Sequence, residues 1–397
     1  MNLVNKGCLI AVIVGMWGCS TVAQVAQLPD ASQQAQLLQA KQGAVVTLEN
    51  LLSTDISKID YNKTILPGPQ FIISDDPEYI RLPEAMVLRE QVQPGAVRLY
   101  VYNVNGVKEP HQMERKITAL IRNTGNYEMS IRMLRYSSQP ASKNYFQVGK
   151  QGLADFFASQ PSETVRKVAP GGLLAIDEEL ETQAVKYDEL VHGFYEFVID
   201  QPAEISVLQT AVDTPSEVAY ARIDSVVPNS HVNAGRGLFG VSNYRISNTE
   251  PLDTKDGIAQ LIVADGSDDP WITGTVGEAQ EPARNAGNYG VLYDVKLKWK
   301  SSDGKGLALV TWNSRSADNQ WCGGMGLTMV MDNGVHPAGI VQLPSDRLIT
   351  KAAPEAIVVQ VYKPAPEGEE QEIRFTYSPP GASCLPTPLV LIPIDVD

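Results

Sequence analysis

The sequence predicts an all-β chain of two β-sandwich domains, and three observations carry that prediction. Short runs rich in β-branched and aromatic residues recur at roughly ten-residue spacing. Several of them alternate apolar with polar, which puts one face of a strand inward and the other outward. The 31 glycines and 26 prolines supply the breaks between runs, as a sandwich of short strands requires.

Before the strands comes a leader. Lys6 precedes an unbroken apolar and small-residue run, Gly7 to Gly18, that stops at Cys19-Ser20-Thr21. That pattern reads as an export signal. The run is about a dozen residues, whereas a helix needs roughly 20 apolar residues to cross a bilayer, so a permanent span is the poorer reading. Met16-Trp17-Gly18-Cys19 resembles the lipobox of bacterial lipoproteins, with Trp17 standing where that family has a small residue. The resemblance implies cleavage of residues 1–18, diacylation of Cys19, and a protein held on a membrane by its fatty chains. Ordinary cleavage after Thr21-Val22-Ala23, with release from the cell, is the alternative.

Residues 19–43 are rich in Gln and Ala, and Asp30-Ala31-Ser32 offers a helix start with Gln33 to Lys41 as the helix. This stretch reads as a short helical tether, or else as a helix docked on the first domain.

From Ala44 the pattern turns to strands: Phe71-Ile72-Ile73, Val97 to Tyr102, Lys116 to Ile121 and Met129 to Leu134. Asn123-Thr124-Gly125-Asn126 reads as a hairpin turn between the last two. Short helices are expected at Gly152 to Ala158 and Asp177 to Thr182, then strands at Glu189 to Ile199 and Ile205 to Gln209. A first domain over 44–211 follows. Residues 212–219, polar and holding Pro215, read as a linker. The second domain, 220–397, has its strands at Gly257 to Ala264, Gly290 to Trp299, Gly306 to Trp312, Gly326 to Met331, Ile357 to Tyr362 and Glu372 to Tyr377. In Tyr293-Asp294-Val295-Lys296-Leu297-Lys298-Trp299 the lysines should face solvent. Glu367 to Glu372 is a run of like charge, which reads as a solvated hairpin tip.

Composition narrows the partners. With 32 Lys and Arg against 46 Asp and Glu, the net charge of −14 repels a phosphate backbone, so nucleic acid is excluded as a partner. Of the four cysteines, Cys8 leaves with the leader and Cys19 is the candidate anchor, so Cys322 and Cys384 remain in the folded part. Outside the cytoplasm two such thiols are expected to pair, the alternative being two buried, reduced thiols. No Cys-x-x-Cys spacing points to zinc or redox chemistry.

Several phrases taken together, among them Ile73-Ser74-Asp75-Asp76-Pro77, Tyr102-Asn103-Val104-Asn105-Gly106, Glu189 to Phe197 and Gly287-Asn288-Tyr289-Gly290-Val291, resemble secreted bacterial envelope proteins labelled copper amine oxidase-like or stalk-domain proteins. That family name would imply a tyrosine-derived quinone and a copper held by three histidines. The nearest phrase, Asn285 to Gly290, lacks the threonine and the acid of the quinone setting. His111, His192, His231 and His336 contain no His-x-His pair. A redox site is therefore not expected.

No Gly-x-Ser-x-Gly turn is present, and Arg236-Gly237-Leu238-Phe239-Gly240 lacks the lysine of a phosphate loop. His192, flanked by apolar residues, reads as a core histidine. Asp265, Asp268 and Asp269 follow a strand and offer carboxylates to a hard cation such as calcium, or simply build an Asx-rich turn. Trp271, Trp312 and Trp321 are candidate platforms for a cell-wall or surface glycan, or else core. The expectation is an exported, membrane-anchored envelope protein with a structural or ligand-binding role and no catalytic residues. A secreted hydrolase with a site assembled from loops is the alternative.

Overall fold

The computed structural model describes residues 26–48, 51, 55–229, 235–314, 322–350, 355–366 and 368–396. The leader, Cys8, Cys19, His231, Trp321 and Glu367 lie outside the described residues.

Strands dominate, as expected, and the described ones form four sheets. A four-stranded sheet runs Leu173–Ala175, Lys116–Asn123, Ala203–Thr210, Ala85–Val92. A nine-stranded sheet faces it, with Gly95–Asn105 and Leu190–Ile199 at its centre. Strand Gly95–Asn105 shows why two layers form. Val97, Leu99 and Val101 fill the core between these sheets, while Tyr100, Tyr102 and Val104 on the other face join a second core. With both faces apolar, this strand must be covered on both sides.

The second sandwich packs a six-stranded sheet, centred on Gly306–Thr311, against a seven-stranded sheet centred on Gln371–Tyr377 and Leu292–Lys300. Tyr293, Val295, Leu297 and Trp299 all point into its core, while Lys298 is exposed. That core runs on without a break to Tyr100, Tyr102 and Phe194 of the nine-stranded sheet. Helix Tyr145–Ala158 sits at the junction; a Cβ on Gly152 would lie 2.4 Å from the His192 ring, and one on Gly149 2.7 Å from the carbonyl oxygen of Gly381. Glycine at these two positions lets the helix close on both sandwiches. The expected helix started only at Gly152, seven residues late.

Three expectations are corrected by the strand pairing. The sheets do not divide at 44 or at 212–219. Val45–Thr47, Ser57–Lys58 and Asn62–Leu66 pair with Glu355–Tyr362, Ala259–Ile262 and Asn243–Ser247 of the second segment. Conversely, Arg236–Phe239 pairs with Gln70–Ser74 and carries Thr273–Val276 and Glu281–Arg284 into the first sandwich. Alternation tells which side of a strand is buried but not which strand lies beside it. The expected linker holds the start of a helix, Ser216–Arg222, after Pro215.

Asn123 to Asn126 is not a hairpin turn, because Lys116–Asn123 and Met129–Ser142 belong to opposite sheets. It is a corner between layers. Asn123 holds it with its own amide, donating to the carbonyls of Tyr127 (2.7 Å) and Val168 (2.9 Å) and accepting from Gly125 N–H (2.9 Å).

Finally, the helix expected in the tether is Ala31–Gln39, capped by Asp30 and Gln33 in a reciprocal capping box. It is docked, and on the second sandwich rather than the first. Leu37 is fully buried against Val310, Val358 and Ile392, a burial that contributes about 2 kcal/mol.

Arg98 ties the two halves together. It is buried, and its Nε donates to Glu196 Oε1 (2.8 Å) while Nη1 reaches the Ser242 carbonyl (2.7 Å) and Nη2 the Asn243 side-chain oxygen (2.8 Å).

Candidate functional site

The residues singled out from the sequence are scattered. Cys322 and Cys384 are joined in a disulfide, their Cα atoms 6.1 Å apart, at a sequence separation of 62. Trp312 is 5% exposed and lies in the core under the six-stranded sheet, beside Leu37. Trp271 is half-buried, donates from its indole to the Ala264 carbonyl (3.1 Å), and lies against Gly266. These two therefore form no shared platform: strand burial, which sequence cannot see, has taken Trp312 inward.

The three aspartates turn to different partners. Asp269 is fully buried, accepting from Tyr293 Oη (2.6 Å) and Ala264 N–H (2.7 Å) and pairing with Lys63. Asp268 pairs with Lys58. Asp265 accepts from the backbone N–H groups of Ser267, Asp268 and Asp269. The cluster is an Asx-rich turn held by these bonds, and among the described residues no group of His, Cys, Asp and Glu is arranged to hold a metal ion.

His192 is buried edge-on to Tyr100, ring centroids 5.2 Å apart, and burial lowers its pKa to about 4. It is a core histidine, as its apolar flanks suggested, and its Nδ1 has no partner.

The candidate site is elsewhere, in a pocket of about 570 Å³ beside the four-stranded sheet. Three pieces of chain build it. Strand Ala85–Val92 supplies Leu88 and Arg89; the loop of Val226 to Asn229 follows, bonded through Val227 N–H to the Met86 carbonyl (2.9 Å); the tip of hairpin 273–284 supplies Val276 to Glu281. Arg236 forms the floor. Its strand approaches the hairpin closely because Gly237 has φ +120° and a Cβ there would lie 2.3 Å from the Thr275 carbonyl oxygen. Only glycine tolerates both.

The pocket's polar groups are unevenly satisfied. Arg236 is 3% exposed; its Nη1 donates to the Asp76 carbonyl (3.2 Å), but its Nε has no partner. Arg89 donates from Nη2 to the Ile223 carbonyl (3.3 Å) and lies 5.5 Å over the Tyr220 ring, again with no hydrogen-bond partner for Nε, which stands 3.6 Å from Glu204. The Asn229 side-chain oxygen is likewise unpartnered. Buried polar atoms are normally paired, and the charge of Arg236 is balanced by Asp76, Glu90 and Glu281 around it. Beside Arg236, Glu90 is 3% exposed and accepts from Gly277 N–H (2.8 Å). Burial pushes its pKa up to about 7, against the opposing pull of that bond and of Arg236. Glu278 and Glu281 are exposed at the mouth. The sequence held one clue: Arg89 and Glu90 interrupt an otherwise apolar run, Ala85 to Leu88, but nothing local joins them to Arg236.

A second pocket, about 420 Å³, has an apolar floor of Leu252, Ile258, Leu307 and Leu391. Its buried acid, Asp253, is already engaged by Ser302 (2.6 Å) and Lys255 (2.9 Å).

These features define an all-β, sandwich-built protein with a small polar pocket at the seam of its two segments. No family model matches the chain, and no curated protein matches it. Among solved structures it overlaps with an oxalate decarboxylase of Lactobacillus farciminis in its formate complex, 10% identical over 84% of this chain and 87% of that one, at a TM-score of 0.15. It also overlaps with a 7S globulin of Momordica charantia, 9% identical over 77% and 72%, at a TM-score of 0.12. Likeness at that level carries no argument about this chain.

Proposed function

We propose that this chain is an exported, lipid-anchored protein of the bacterial cell envelope, moored through Cys19, whose role is to bind a ligand rather than to catalyse. The observation that carries the reading is the joined pair Cys322 and Cys384, since disulfides persist in oxidising compartments and are rare in the cytosol. The leader agrees with it: Lys6, the apolar run to Gly18 and the lipobox-like Met16 to Cys19. The binding role is supported by the pocket of about 570 Å³ lined by Arg89 and Arg236. A hydrolase is less well supported, because His192 is packed among tyrosines and its ring nitrogen Nδ1 meets no carboxylate.

Intact mass spectrometry of the protein recovered from its own cells tests this. The expected species begins at Cys19, carries acyl mass, and is two hydrogens lighter than the dithiol. A species that begins at Met1, or past Cys19 without acyl mass, overturns the anchor; free thiols at Cys322 and Cys384 overturn export.

A further inference from the structure

We propose that the pocket over Leu307 and Leu391, in the second sandwich, binds an aliphatic amine as its ammonium ion: the alkyl chain lies on the leucine floor and the ammonium meets Asp60 and Glu250 at the mouth. The site is separate from the pocket of Arg89 and Arg236, and neither reading depends on the other.

The cavity opens between the two sheets of that sandwich. Leu252 lies beside Trp299 on the seven-stranded sheet, while Leu307 and Leu391 belong to neighbouring strands of the six-stranded one. With Ile258 they line a space of about 420 Å³, in the range of ordinary small-molecule sites. Leu307 is 3% and Leu391 2% exposed, so the floor is apolar and suits an alkyl chain. No aromatic ring lines the cavity, so it lacks the stacking surface a sugar would use.

The charge of the lining has one sign. Asp60, Glu250, Asp253 and Asp256 all contribute, and no Lys, Arg or His does. Asp253 is buried, and the neighbouring Lys255 and Lys300 turn to it. Asp60 and Glu250 are exposed, and among the described residues neither side chain is held in an ion pair or a hydrogen bond. An anion would be repelled at this mouth, whereas a cation is drawn to it. A hydrated metal ion would gain nothing from the leucines. An ammonium group on an aliphatic chain matches both parts, because it donates charge-assisted hydrogen bonds to the carboxylates while its chain leaves water.

Isothermal titration calorimetry on the full chain in mild detergent, with protein-free detergent as the blank, tests the proposal. The probes are n-hexylammonium and n-butylammonium chloride, hexan-1-ol and sodium hexanoate. Saturable binding of hexylammonium is expected, with hexanol several-fold weaker and hexanoate weaker still. Each buried methylene is worth about fourfold in affinity, so butylammonium should bind roughly tenfold less tightly than hexylammonium. The double variant Asp60→Asn with Glu250→Gln, both at exposed positions, should bring hexylammonium down to the level of hexanol and leave hexanol unchanged. Ala259→Phe, which fills the cavity from its half-buried wall, should abolish binding of both. The double variant tests the mouth on its own where the filled variant does not fold. Absence of saturable hexylammonium binding, hexanol or hexanoate binding as tightly as the amine, or a double variant with undiminished affinity for hexylammonium would each overturn it.

Discussion

Replacing Glu90 with glutamine should make the protein more stable at pH 8 and leave it nearly unchanged at pH 4. Glu90 is buried beside Gly277, and its pKa stands at about 7 against an ordinary 4.5. In the unfolded chain the group ionises near the ordinary value. Between the two values the folded protein therefore holds more protons than the unfolded chain, and stability falls as pH rises through that window. Above about 7 the loss is complete. Each pKa unit corresponds to about 1.4 kcal/mol, so the full penalty is of order 3 kcal/mol. Glutamine keeps an oxygen to accept from Gly277 N–H (2.8 Å) and carries no charge to desolvate. The value of about 7 already contains the pull of Arg236, so the stabilisation expected at pH 8 is of the same order, about 2–3 kcal/mol. The assay is urea unfolding followed by tryptophan fluorescence, for both proteins, at half-unit steps from pH 4 to pH 8. The other ionisable groups are common to both proteins, so the difference in midpoint isolates Glu90. A difference that stays constant across this range, or that grows toward low pH, would refute the reasoning.

Two further perturbations test a buried ion pair between the halves and a covalent link within the second. Arg98→Leu should cost about 3–5 kcal/mol, because it leaves Glu196 uncompensated and strips the Ser242 and Asn243 contacts. The double variant with Glu196→Leu should be more stable than Arg98→Leu alone, and a thermodynamic cycle showing strict additivity would contradict that. Converting Cys322 and Cys384 both to serine removes a link spanning 62 residues, which should lower stability by about 4 kcal/mol in the chain-entropy account. The midpoint of urea unfolding reads this directly, and an unchanged midpoint would count against the account.

The sequence by itself determined what depends on neighbours along the chain. Alternation in Tyr293 to Trp299 placed Val295 and Leu297 inside and Lys298 outside, and β-branched runs marked the strands, because side chains in a strand switch faces at every residue. The capping residues Asp30 and Gln33 marked the start of the first helix, since a cap is made within one turn. The cysteine count left one pair to join, and the structure joins it.

Tertiary structure decided everything that depends on residues far apart. Asn123 to Asn126 carries the residues of a hairpin turn, yet it is a corner between sheets, because the two strands it joins do not pair with each other and the partners of each lie more than 30 residues away in the sequence. Trp312 is a tryptophan that could serve as a binding platform but is core, because it is buried in one cluster with residues as distant in sequence as Leu37. The pocket is the strongest case. Arg89, Arg236 and Glu281 lie on three separate strands or turns, and only the pairing of Arg236–Phe239 with both Gln70–Ser74 and Thr273–Val276 brings them together. Local pattern reports the face a residue turns to; which faces meet is fixed by the packing of the whole chain.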